Sequence, residues 1–82
     1  MSRLNLVFKG YFFFFYSNEG LPLEPCHVHV RKNENVAKFW VVPNVSLASS
    51  YGIPSKDLTS IKKFIIKNKT TILEKWNEYF SS

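Results

Sequence analysis

Two histidines one residue apart, in the segment PCHVHVR from Pro25 to Arg31, are the side chains in this sequence best suited to do chemistry. Their strict alternation with Val28 and Val30 is a period-2 pattern. On a strand it sends His27, His29 and Arg31 to one face and the valines to the other. Two imidazoles side by side can reach one ion or one substrate phosphate. As acid and base they match what metal-free RNA cleavage requires: His27 and His29 exchange protons while Arg31 and Lys38 hold the phosphate. As metal ligands they supply two nitrogens, short of the three protein ligands usual at catalytic zinc. Alternation turns Cys26 away from them and nothing fixes Glu24, so no metal is assigned. A Cys26 nucleophile lacks an orienting third residue. The plainer reading has one histidine partly buried and hydrogen-bonded near the loop prolines, and the other on an aromatic surface.

The elements that must position these residues read as strands first and helices last. Leu6 to Tyr16 is rich in β-formers and is expected as one strand, whose two aromatic rows face opposite ways. One row is expected to pack under C-terminal helices with Ile61, Ile65 and Trp76, and the other to border the histidines. Ser17 to Pro25 reads as a loop. His27 to Lys32 and Val36 to Val42 form a hairpin around Asn33, Glu34 and Asn35. Pairing their apolar sets places Lys38 and Trp40 beside the histidines. Val45 to Ser50 suggests a short fourth strand at an edge. Ser55 is expected as an N-cap, Asp57 suits the first turn, and Leu58, Ile61 and Ile65 have helical spacing. Thr71 and Glu74 have capping-box spacing, so two short helices, or one bent near Asn68, are expected. The class is α+β: a mainly antiparallel sheet of three to four strands with helices packed on one face.

Composition narrows the options. Eighty-two residues make a single domain, residues 1–82, with a thin stability margin. Fourteen aromatic residues supply most of its core volume. The single cysteine excludes an internal disulfide and suits a reducing cytoplasm. Lys9 interrupts the early apolar stretch, which is far shorter than the ~20 residues of a membrane span, so neither a signal peptide nor a membrane partner is expected. No Gly-rich phosphate loop is present, and no cofactor is assigned. Net charge is +5, and Lys56, Lys62, Lys63, Lys67 and Lys69 fall close together. That stripe suits phosphates or an acidic protein, and equally a solvated helix face. The candidate binding surface joins Arg31, Lys38 and Trp40 to Phe13 and Phe15. Cations interleaved with rings suit single-stranded RNA, and they also suit a protein interface, including a homodimer formed through the aromatic face.

EPCHVHV followed by AKFW, VSLASSYG and LEKWNEYF resembles the small bacterial family called domain of unknown function 4160, from about Gly10 to Phe80. The family's Pro-x-His-x-His falls on Pro25, His27 and His29, its alanine on Ala37 and its tryptophan on Trp76. Cys26 departs from the pattern, because many members carry a second proline there. The resemblance implies a gene pair of toxin and antitoxin type, with this chain on the toxin side and a small antitoxin-like protein as its partner.

Overall fold

A computed structural model describes residues 2–17 and 24–80. Most of the expected Ser17 to Pro25 loop lies outside that range. Five strands form one antiparallel sheet in chain order: β1 (Ser2–Phe8), β2 (Tyr11–Phe15), β3 (His27–Lys32), β4 (Asn35–Trp40) and β5 (Ser46–Tyr51). Two helices follow, α1 (Ser55–Lys67) and α2 (Lys69–Phe80). The α+β class holds, with five strands instead of three or four.

The extra strand comes from the expected first strand, which is a hairpin. Lys9 and Gly10 both have left-handed backbone, φ 52° and 82°, and Phe8 pairs directly with Tyr11. A two-residue turn with both φ positive matches the right-handed twist of its strands, and glycine takes the second position without a Cβ penalty. A run of β-formers masks this turn, because only one residue in it is a recognised turn former.

Phe13 pairs with Val30, and Val30 with Ala37, so these residues share one face of the sheet. The helices cover that face. Phe13 packs 5.2 Å from Phe64, and Phe15 packs 5.2 Å from Trp76 and 6.0 Å from Phe80, centroid to centroid. Ile61, Ile65 and Ile72 complete the core with Val28, Phe39 and Val41. At α1 the cap position is Pro54, whose carbonyl accepts the backbone N–H of Asp57 and of Leu58 at 3.0 Å each; Ser55 is the first helical residue instead of the cap. Asn68 separates the helices. Its side-chain amide donates to the Phe64 carbonyl at 2.8 Å, and its own carbonyl accepts from Ile72 N–H, which starts α2 ahead of the Thr71 capping box.

Gly52, between β5 and α1, has φ +80°, and a Cβ there would run into the Asn35 side chain. The left-handed backbone disfavours a larger residue, and the Asn35 side chain would have to shift to admit one. Gly52→Ala is expected to lower stability by about 2 kcal/mol in urea denaturation.

Candidate functional site

The strand register decides which of the chemically suited residues meet. His29 pairs with Phe14 on one side and Lys38 on the other, and Lys38 pairs with Ser49. Arg31 pairs with Phe12 and Val36, and Val36 with Tyr51. Directly opposed residues project to the same face. The face turned away from the helices therefore carries His29, Arg31, Lys38 and Trp40, as the alternation implies. The aromatic row beside them is Phe12, Phe14 and Tyr16. Phe13 and Phe15, expected to contribute to binding, lie in the helix-covered core with 0% and 1% exposure.

The two histidines have different surroundings. Their rings lie 5.3 Å apart, edge to face. His27 is fully buried at the start of β3, with Trp40 at 5.3 Å and Trp76 at 5.2 Å. Its Nδ1 is 3.0 Å from the Pro25 carbonyl, a geometry in which the ring N–H donates to the oxygen. His29 is half-buried on the open face, stacked on Phe14 at 5.4 Å and meeting Tyr16 edge-on at 4.6 Å. Only His29 stands where a ligand from solvent can reach it.

The cations are already engaged. Lys38 lies 3.7 Å from Glu24 and holds its ammonium 4.4 Å from the centre of the Trp40 ring. Arg31 donates from Nε to the Asn33 carbonyl at 2.8 Å, and Arg3 lies 4.1 Å from the centre of the Phe12 ring. Beside Lys38 is a cleft of about 350 Å³ with Tyr16, His29, Val36 and Tyr51 among its other walls. Tyr16 is 42% exposed and Tyr51 71%. Neither tyrosine was singled out from the sequence. The available signal was the parity of the aromatic run for Tyr16 and the register of an edge strand for Tyr51.

Among the described residues no three of His, Cys, Asp and Glu come together as a metal site. Cys26 is buried, and burial pushes its thiol up to about 12 despite the opposing pull of Lys69. Iodoacetamide is expected to leave the folded protein unmodified at pH 8, where only about one such thiol in ten thousand is ionised, and to label it once urea unfolds the chain. Burial, and then the Asp57 carboxylate that accepts its hydroxyl at 3.3 Å, also raise the Tyr11 phenol. Both groups hold their protons in the folded state beyond the pH at which the unfolded chain releases them. Their stabilisation is complete below about pH 8.5 and declines as the pH rises above it. Thermal melts between pH 8 and 11 are expected to show a falling midpoint.

None of the described helices is long and apolar enough to cross a membrane. No curated protein and no solved structure matches the chain. A protein-family model does match, over residues 10–77, and that span takes in β2 to β5, both helices up to Asn77, and both histidines. With most of its length under that model, the chain belongs to the family described as "Domain of unknown function (DUF4160)".

Proposed function

We propose that this protein acts by binding and not by catalysis, as the toxin-like member of a two-gene pair in the cytoplasm, and that the open sheet face is its contact surface for a small antitoxin-like protein. The observation that carries this reading is the cleft at His29. Its walls include two exposed tyrosines, the residue type enriched where proteins anchor one another, beside the half-buried His29. A paired acid and base would need both imidazoles at the substrate, and His27 is enclosed by Trp40 and Trp76. Lys38 is close to Glu24, whereas Arg31 spends only its Nε on the Asn33 carbonyl and keeps its other donors, so a phosphate-bearing partner is the alternative that the test separates.

The test is induced expression with and without the adjacent gene, together with co-purification of the two products. Growth inhibition relieved by co-expression, with a stable complex, is the expected result. Tyr16→Ala is expected to weaken that complex by about thirtyfold, as losing an aromatic anchor does. Absence of both inhibition and complex would overturn the reading. Binding of single-stranded RNA with a steep salt dependence would replace the protein partner with a nucleic acid.

A further inference from the structure

The two edges of the sheet are finished differently. Edge β1 carries Arg3 and breaks register between Arg3 and Val7, with Asn5 at φ 61°. The charge discourages other strands from pairing with that edge; the irregularity does not tell the two edges apart, because β5 has one of its own at Ala48. Edge β5, SLASSY, has no charge and no proline, and all six of its residues are exposed. Such an edge presents backbone N–H and C=O groups as a template for another strand.

The side chains on β5 say what that strand is. At one end Tyr51 projects with 71% of its surface exposed. At the other end Ser46 borders a separate cleft of about 220 Å³, lined also by Pro25, Trp40, Val42 and Pro43. Ser46 and Tyr51 are five residues apart, so regular alternation would put them on opposite faces. The register shift between Lys38 and Phe39 changes that parity: Ser46 pairs with Trp40 and Tyr51 with Val36, both on the open face.

We infer that β5 pairs antiparallel with β5 of a second copy of this chain, joining two sheets into one of ten strands. A twofold axis between Ala48, the extra residue at the register shift, and Ser49 sets Ser46 opposite Tyr51 of the other copy, and Leu47 opposite its Ser50. This register needs Ala48 and Ser49 to share the open face, as an extra residue allows and regular alternation does not. The helix-covered faces then lie on one side. Each Tyr51 crosses the small Ser46 and enters the cleft beside Trp40 of the other molecule. Trp40 lies two strand spacings away, about 10 Å between backbones, a gap that a tyrosine ring leaning over a serine can close. The contact is made twice by symmetry, as a twofold interface requires. Two copies at +5 can meet here because the six residues of β5 are uncharged. Tyr51 is also a wall of the cleft at His29, so the dimer and the antitoxin-like partner draw on one shared side chain; dimerisation is tested separately, on the purified chain alone.

Sedimentation equilibrium from 1 to about 200 µM is expected to show a reversible dimer. Ala48→Lys places two ammonium groups beside the axis and is expected to give monomers with unchanged circular dichroism and melting. Tyr51→Ala is expected to weaken the dimer by about thirtyfold. Oxidised mixtures of Leu47→Cys and Ser50→Cys chains are expected to cross-link, and neither chain alone, because only opposed residues bring their Cβ atoms within about 5 Å. A wild-type chain that stays monomeric throughout, or a dimer unaffected by Ala48→Lys, would overturn the inference.

Discussion

Phe15→Ala is expected to remove about 3–5 kcal/mol of folding stability, while Phe12→Ala, three positions away in the same run, removes about 1 kcal/mol. A domain of this size has roughly 4–12 kcal/mol in all. The first change therefore leaves a marginal fold, and the second a nearly normal one. Phe15 is fully enclosed, its ring meeting Trp76, Tyr79 and Phe80. Alanine there leaves a cavity between the sheet and α2 that neither rigid layer can collapse to fill. Phe12 is half-buried on the open face under the Arg3 guanidinium, and solvent fills the space it vacates. Urea denaturation of both variants measures the difference directly. Equal losses would mean that Phe12 and Phe15 do not differ in burial in this way.

The second large effect separates the histidines. His27→Ala is expected to cost about 3 kcal/mol, because it empties a fully buried site between Trp40 and Trp76 and removes the contact with the Pro25 carbonyl. His29→Ala is expected to cost about 1 kcal/mol or less, and to weaken partner binding while leaving the fold intact. Denaturation midpoints give the first quantity, and titration against the product of the adjacent gene gives the second. A catalytic pair would behave otherwise: both changes would abolish activity at similar stability. A folded, stable His27→Ala variant that still binds its partner but has lost toxicity would restore the acid–base mechanism.

What was legible before folding is what local periodicity controls. The alternation of HVHVRK with Val36 to Val42 predicted a hairpin with His29, Lys38 and Trp40 on one face, and the β3–β4 register has them there, with Asn35 inside the strand instead of the turn. The spacing of Leu58, Ile61 and Ile65 predicted a helix, and the sequence around Asn68 left two short helices or one bent one; two are observed. Cys26 could be set aside as a nucleophile because a strand neighbour of a histidine points away from it, and burial of the thiol acts in the same direction.

Tertiary structure decided the remainder. The sequence by itself determined that two aromatic rows leave the first strand region on opposite sides, but rings of equal hydrophobicity give neither row a preference for the core. Only the pairing of Phe13 with Val30 settles it, and that register is closed across the segment between β2 and β3, whose length does not encode parity. The two histidines likewise share a face by alternation, yet one is sealed and the other open. Trp76, forty-nine positions beyond His27, makes that difference, and no local pattern carries a contact at such separation. The same holds at β5, where a single irregularity opposite Lys38 and Phe39 brings Ser46 and Tyr51 to one face and turns an unremarkable run of small residues into a surface that fits its own copy.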